Sequence, residues 1–201
     1  VNCFDKFTVN PNAEGDDPDN GIFSTIQGAI DASSDGMTIS VMAGTYTGTG
    51  DSVITLPDHG ITIRGIDGAE NTIIDGQGAR RGLIGEGCGD NGTVIEGLTI
   101  QNGYSNDGAG IYLDGCSPTI HDCMFTGNNS SSNGGGLTCA NASSPHVIDC
   151  IFTSNTATYD GGGICCRDAS NPTFDGCTVS SNTAGVYGGG IDIGPDTSSS
   201  P

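Results

Sequence analysis

Hydrophobic and polar residues alternate along much of the chain after Met37, in short runs that Gly, Asn or Asp-Gly interrupt. Alternation with a period of two places the apolar side chains on one face of an extended strand, so each run predicts a strand of about four to eight residues. No apolar pattern of helix length separates the runs, which favours an all-β fold. The first of them are TISV from Thr38, ITIRG from Ile61, NTIIDG from Asn71 and TVIEGLTI from Thr93.

The second half of the chain is a repeat that begins at each glycine cluster. Units start at Gly108, Gly134, Gly161 and Gly188, so the period is 26, 27 and 27 residues. Self-similarity at this period is typical of a supersecondary unit that stacks on copies of itself. The unit is too long for one strand of a hairpin. It suits one coil of a parallel β-solenoid, in which we expect three short strands and three bends.

Equivalent positions of successive units predict which side chains line the core. In GGGIxI the two apolar positions face inward and the residue between them faces outward. Neighbouring coils lie about 4.8 Å apart, the spacing of hydrogen-bonded strands, so like side chains form ladders, and stacked amides can bond the next coil. Two ladders are expected, an apolar one of Phe125, Phe152 and Val179 and an amide one of Asn128, Asn155 and Asn182.

The N-terminal region differs from the rest of the chain. A short strand is expected at Phe7–Val9, followed by an acidic loop. Apolar residues then recur at helical spacing, with Ser24 as N-cap, Gln27 completing a capping box and Gly36 at the end. We therefore divide the chain into an N-terminal strand, loop and capping helix (1–36), irregular β-helix coils (37–107) and regular repeats with an open C-terminal coil (108–201).

Composition and charge narrow the class of protein. Gly accounts for 35 of 201 residues and Trp is absent, which fits short strands joined by tight turns and argues against a helical bundle. With 24 acidic and 5 basic residues the net charge is −19, which repels nucleic acid and anionic membrane surfaces. No apolar run reaches the length of a membrane span, about eighteen residues. We expect neither a nucleic-acid partner nor a membrane span.

Nine cysteines in a chain of this length point away from a reducing cytosol. Cys123 and Cys139 are 16 residues apart, as are Cys150 and Cys166, which allows two matched disulfides. Pairing at the 11-residue interval, Cys139 with Cys150 and Cys166 with Cys177, fits equally well. Free thiols at equivalent core positions are the third alternative, because a buried Cys behaves as a small hydrophobe.

One loop has the composition of a calcium site. Asp16, Asp17 and Asp19 precede Gly21 in the order Asp-Asp-Pro-Asp-Asn-Gly, without the spacing of an EF-hand. Carboxylate oxygens are the ligands that Ca²⁺ takes in proteins. Ca²⁺ at these three residues is therefore the only cofactor that the sequence suggests.

The residues resemble those of known secreted β-helices. FSTIQGAIDASSDGMTISVMAGTY, followed by ITIRG, TIIDG and IEGLTIQNG, is similar to the amino-terminal half of right-handed parallel β-helix proteins of the pectin lyase-like superfamily. The units that run from a glycine cluster to FTGNN, FTSNTA and VSSNTA resemble the polymorphic outer membrane protein repeat, whose hallmarks are GGAI and FxxN. The resemblance covers roughly residues 20 to 193. It implies an all-β, right-handed, single-stranded parallel β-helix with a short N-terminal capping helix.

The resemblance does not extend to catalytic residues. Similarity to polysaccharide lyases would imply a Lys or Arg base beside clustered Asp ligands for Ca²⁺, and the sequence reveals no such cluster around its five basic residues. Similarity to polygalacturonases would imply paired Asp and Gly-His-Gly, but His59 lies in Pro-Asp-His-Gly. Asp122 and Asp149 are aligned one coil apart, although Asp at such a position more often caps a bend. We assign no catalytic residue.

These features predict a non-enzymatic extracellular structural or adhesion module. Ile191 and Ile193 begin a coil that the following residues do not close. We therefore expect self-association, end to end into fibres, or further coils of a longer surface protein. Glycans and host or cell-surface proteins are the other expected partners. The alternative is a polysaccharide lyase-like or hydrolase-like enzyme, or a glycan-binding module, that uses the outer groove of the helix.

Overall fold

The structure, a computed structural model, describes residues 6–194. Within that range it is a β-solenoid in which the strands of each sheet pair in parallel, and an isolated antiparallel bridge joins Asp17 to Ile22. A regular coil contributes one strand to each of four sheets, visited in the order first, second, third and fourth. No helix among the described residues is long and apolar enough to cross a membrane.

The strands, numbered along the chain, fall into the four sheets as follows. The first sheet holds β1 (Lys6–Val9), β2 (Ile22–Phe23), β3 (Met37–Val41), β6 (Ile61–Gly65), β9 (Val94–Glu96), β13 (Thr119–His121), β17 (His146–Ile148) and β21 (Thr173–Asp175). The second holds β4 (Gly44–Tyr46), β7 (Thr72–Asp75), β10 (Thr99–Gln101), β14 (Met124–Thr126), β18 (Ile151–Thr153) and β22 (Thr178–Ser180). The third holds β11 (Tyr104–Asp107), β15 (Asn129–Asn133), β19 (Thr156–Ala157) and β23 (Thr183–Ala184). The fourth holds β5 (Ser52–Thr55), β8 (Arg81–Gly89), β12 (Ile111–Cys116), β16 (Leu137–Ala140), β20 (Ile164–Cys166) and β24 (Ile191–Ile193).

Each regular coil has four strands, so the expectation of three was wrong. The additional strand is the short one in the third sheet, such as β19, where Thr156 pairs with Asn129 of the coil before it. Its residues are small or polar and show no apolar alternation. The backbone is extended there because the neighbouring coil offers hydrogen-bond partners, such as the Asn128 carbonyl that accepts from the Thr156 N–H at 2.8 Å. Tertiary context thus overrides weak local propensity.

The core is a narrow column of stacked apolar side chains. Phe125 and Phe152 are register partners whose rings stack with centroids 4.4 Å apart and planes inclined by 3°. Val179 is the next residue of this ladder, because it pairs with Phe152 in the following coil. A second ladder runs through the first sheet and consists of Ile39, Ile63, Ile95, Ile120 and Val147, all fully buried.

A short helix, α1 (Ile26–Asp31), packs against β1, β2, β3 and β5 at the N-terminal end of the solenoid. It buries Ile26, Ala29 and Ile30, the residues that recur at helical spacing. A 3₁₀ turn at Pro18–Asn20 precedes it. The helix therefore covers the apolar interior of the first coil, as a capping element does.

The ends of this helix differ from the sequence-based prediction. Thr25 is the N-cap, and its hydroxyl oxygen accepts from the Gly28 N–H at 3.1 Å. Ser24 is not available for that role, because its N–H and hydroxyl both donate to the Asp16 carboxylate at 2.7 Å. The helix also ends earlier, at Asp31 rather than Gly36. Because Asp16 binds Ser24, the N-cap lies one residue later than the sequence predicted.

The glycine clusters allow coils to approach one another closely. Gly134, the first of its cluster, has φ 61°, in the left-handed region that favours glycine. Gly135 has no such backbone requirement, but a Cβ there would collide with the Gly162 carbonyl oxygen of the next coil. The cluster therefore combines one conformational requirement with a steric one.

Candidate functional site

A row of charged side chains lies on the outer face of the first sheet. Arg64, Glu96 and His121 occupy register-paired positions in three successive coils. The Arg64 guanidinium donates to the Glu96 carboxylate, and His121 lies 3.9 Å from Glu96 and 2.9 Å from Asp122. Each carboxylate of the row thus has a basic neighbour. Because the Arg64 and His121 side chains are exposed, these ion pairs contribute about 0–1 kcal/mol.

Asp122 and Asp149 are placed one above the other at the bend between the first and second sheets. Both have left-handed backbone angles, φ 52° and 50°. Asp175 does not continue this column of carboxylates, because its register partner is Ile148. Gly176, with φ 64°, occupies the equivalent position in that coil. Asp122 and Asp149, together with Asp67 and Glu70, line an open acidic pocket of about 460 Å³. The position selects residues that tolerate a left-handed backbone, Asp and Gly among them.

The carboxylates expected to bind Ca²⁺ are used within their own loop. Hydrogen bonds from the Ser24 N–H and hydroxyl hold the pKa of Asp16 below its ordinary value. The Asp17 carboxylate accepts from the Asn20 side-chain amide at 2.8 Å. Among the described residues, no group of three or more His, Cys, Asp or Glu side chains is arranged to hold a metal ion, so Asp16, Asp17 and Asp19 do not form one.

Two arginines contact residues of other coils on the side where the third and fourth sheets meet. Arg167 pairs with Asp107, 60 residues earlier, through two nitrogen–oxygen contacts of 3.2 and 3.3 Å. Arg81 donates to the Ser105 hydroxyl at 2.7 Å and lies over the Tyr112 ring, 5.0 Å from its centroid. Sequence reasoning missed this cluster because its members do not occupy equivalent positions of the repeat.

An open pocket lies beside the bend between the second and third sheets. It has a volume of about 480 Å³ and is lined by Asp75, Asn102, Tyr104 and Asn129 among others. The Asp75 carboxylate accepts from the Asn102 amide at 3.1 Å and from the Gln101 amide at 3.1 Å. The pocket therefore presents a carboxylate, amides and an exposed aromatic ring to solvent.

The structure contains a disulfide that the spacing of the cysteines did not predict. Cys88 and Cys116 are bonded between β8 and β12, with their Cα atoms 4.8 Å apart. Their separation of 28 residues, close to one coil, is the signal that could have revealed them. The five cysteines considered from the sequence are all thiols here, namely Cys123, Cys139, Cys150, Cys166 and Cys177. The pairings at intervals of 16 and 11 residues are thus absent from the structure.

The last described coil exposes its strand edges. Strands β21, β22, β23 and β24 are each the terminal strand of their sheet within residues 6–194. Ile193 is 77% exposed, whereas Cys166, its register partner in the coil before, is 2% exposed. Residues 195–201, on which part of the open-coil expectation rests, lie outside the described range.

Comparison with known proteins identifies a family. Residues 81–200 match the family described as the right handed beta helix region. No curated protein and no solved structure showed significant similarity to the chain. The match covers more than half of the chain and includes β8 to β24, the strands that carry the regular ladders. The chain therefore belongs to the right-handed β-helix family.

Proposed function

We propose that the chain is a non-enzymatic, extracellular structural or adhesion module, a β-helical rod that is extended by stacking of further coils. The observation that carries the proposal is that, within residues 6–194, strands β21, β22, β23 and β24 each lack a neighbouring strand on one side. Unpaired parallel strands beside exposed apolar side chains accept another layer of strands. A second copy of the chain or further coils of a longer surface protein would supply that layer.

The ladder of stacked asparagines supports this proposal because its hydrogen-bond pattern can be extended by a further coil. The backbone N–H groups of Asn128 and Asn155 each donate to the side-chain oxygen of the asparagine one coil further on, at 3.1 and 2.9 Å. The backbone N–H of Asn182 occupies the same position in the last described coil. A further coil with Asn in register would extend the ladder without a change of geometry.

Adhesion is supported by a surface patch on the outer edge of the last coils. Tyr159, Val186 and Tyr187 are all exposed, the last at 68%. They are held together by the backbone, since the Val186 N–H donates to the Tyr159 carbonyl at 2.8 Å. Exposed tyrosines are enriched in protein–protein interfaces. A glycan or a cell-surface protein is the partner that we propose for this patch.

An extracellular location is favoured by the cysteine chemistry. The Cys88–Cys116 disulfide is of the kind that persists in oxidising compartments. The resemblance to pectin lyase-like β-helices and to polymorphic outer membrane protein repeats agrees with secretion to the cell surface.

Stacking is tested by sedimentation velocity and negative-stain electron microscopy of the purified chain over a range of concentrations. We expect oligomers or fibres that grow with protein concentration and with salt, because salt screens the repulsion between chains of net charge −19. Ile193→Asp should abolish the assembly. Ile66→Asp, at an isoleucine that is 51% exposed beside β6, is the matched control and should not. A wild-type chain that stays monomeric at every concentration overturns the stacking proposal.

The pocket beside Tyr104 favours a second candidate function, glycan binding or a polysaccharide-active site. Carboxylate, amide and aromatic groups can bind hydroxyl groups and stack on sugar rings, and a few convergent polar groups in a pocket are typical of ligand sites. Uronate polysaccharides should be screened for binding and for unsaturated product, with and without Ca²⁺. Binding that Tyr104→Ala removes and Tyr187→Ala leaves intact would place this function above the structural one.

A further inference from the structure

Cys139 and Cys166 face each other across adjacent coils. They are register partners in β16 and β20 and lie on the inward side of the fourth sheet. Their side chains are 0% and 2% exposed. The two thiols are therefore neighbours inside the core, away from competing thiols in solvent.

The geometry of this pair suits a disulfide. Neighbouring strands of a parallel sheet hold paired Cα atoms about 4.8 Å apart. A disulfide requires roughly 4.4–6.8 Å between Cα atoms. The same sheet already bonds Cys88 to Cys116 between adjacent coils at 4.8 Å. Oxidation of Cys139 and Cys166 would therefore repeat a linkage that this fold accommodates.

The other stacked cysteines, Cys123, Cys150 and Cys177, have different surroundings. The Cys123 thiol donates to the His121 carbonyl at 3.3 Å, and the Cys177 thiol donates to the Asp175 carbonyl at 3.4 Å. Between them, the Cys150 thiol donates to the Ile148 carbonyl at 3.2 Å. Each of these three S–H groups donates a hydrogen bond to a backbone carbonyl, and a disulfide would remove that donor. Cys123 and Cys150 lie at equivalent positions of adjacent coils, as Cys139 and Cys166 do, so these cysteines provide an internal comparison for the pair above.

We propose that Cys139 and Cys166 form a second inter-coil disulfide, while Cys123, Cys150 and Cys177 stay reduced. The two thiols lose two protons and two electrons as the S–S bond forms. The electrons pass by thiol–disulfide exchange to a disulfide oxidant, such as oxidised glutathione or a disulfide oxidoreductase, whose own disulfide becomes two thiols. The proposal goes beyond the structural function and does not depend on stacking.

The time at which the bond forms follows from burial. Exchange needs contact between a thiolate and the oxidant. In the folded chain, Cys139 and Cys166 are 0% and 2% exposed, so an oxidant in solvent does not reach them. Oxidation therefore takes place while the coils are docking, and closure of the core then protects the bond from reductants.

Peptide mapping of the wild-type chain tests the proposal directly. The chain is refolded in a glutathione redox buffer, denatured in the presence of an alkylating agent and cleaved before aspartate residues. The residues 122–148 and 160–167 then fall into separate fragments that carry Cys139 and Cys166. We expect these fragments to be cross-linked, with fragmentation placing the bond at Cys139–Cys166 and with Cys123, Cys150 and Cys177 alkylated.

Two variants make the assignment specific. Cys165→Ser removes the adjacent thiol and should leave the cross-link unchanged. Cys139→Ala should eliminate the cross-link and leave Cys166 alkylated. The proposal is overturned if wild-type Cys139 and Cys166 are both recovered alkylated, or bonded to other cysteines, at an oxidant concentration that forms Cys88–Cys116. Because the wild-type map alone decides between these outcomes, the test does not depend on how well a variant folds.

Discussion

The side-chain oxygen of Asn155 accepts two hydrogen bonds from Asn128, one from its backbone N–H at 3.1 Å and one from its side-chain amide at 2.9 Å. The Asn155 amide in turn donates to the Phe125 carbonyl at 2.9 Å. Both asparagines are fully buried. One residue per coil thus satisfies the polar backbone groups of a buried bend and joins that bend to the next.

Asn155→Ala should destabilise the chain by about 2–4 kcal/mol, because it leaves the Asn128 N–H and the Phe125 carbonyl buried without a partner. Urea unfolding followed by circular dichroism measures the change. Asn129→Ala, at an exposed asparagine in β15, is the control and should change stability by less than about 0.5 kcal/mol. Equal effects of the two substitutions would mean that the ladder does not carry the stability assigned to it.

Phe152→Ala should cost about 3–5 kcal/mol, because it opens a cavity between two coils and removes the ring that stacks on Phe125. The neighbouring residue Ile151 is 38% exposed. Ile151→Ala should therefore cost less than about 1 kcal/mol in the same unfolding experiment. A small loss for Phe152→Ala would argue against a continuous packed column.

Gly135→Ala should destabilise the repeat region by about 2–3 kcal/mol, because the added methyl group meets the carbonyl oxygen of Gly162. Gly15→Ala is the matched control, since a Cβ at Gly15 meets no atom within 4 Å. It should be neutral to within about 0.5 kcal/mol. Both are measured as shifts of the urea midpoint. Tolerance of alanine at Gly135 would show that coils are spaced more widely than described.

Tyr46 should make stability sensitive to alkaline pH. Burial, with a smaller effect of the Asp67 charge, raises the pKa of Tyr46 to about 12 from its ordinary value of 10.0. The folded chain therefore keeps this proton between pH 10 and 12 while the unfolded chain releases it. The contribution of the Tyr46 proton to the free energy of unfolding is therefore fully present below pH 10 and is lost as pH rises towards 12.

The Tyr46 titration is measured as the tyrosinate absorbance of the wild type minus that of Tyr46→Phe, with circular dichroism recorded in parallel to show that the chain is folded. The difference should rise near pH 12. A difference that rises near pH 10 in the folded chain contradicts the burial of this hydroxyl, which donates to the Met42 carbonyl at 2.9 Å.

Some features could be predicted because they depend on periodicity. The 27-residue spacing from Phe125 to Phe152 is the same spacing at which coils stack, so like residues must meet when one coil lies on the next. The strand at Ile61–Gly65 could be predicted because its alternation of buried and exposed residues follows from one covered face. These properties repeat along the chain, and a repeat is visible in a single sequence.

Other features depended on contacts between residues that the repeat does not relate. Ser24 has the chemistry of an N-cap, but Asp16 lies close enough in space to bind it, and Thr25 caps the helix instead. Arg167 reaches Asp107 across 60 residues that no pattern connects.

Periodicity was enough to establish a stacked parallel β-helix with one apolar and one amide ladder, because each coil can bury its apolar face only against a copy of itself. Folding in three dimensions decided the fourth strand of each regular coil and the partners of the cysteines and the charges. These depend on distances across the coils, and such distances are not encoded in the spacing of residues along the chain.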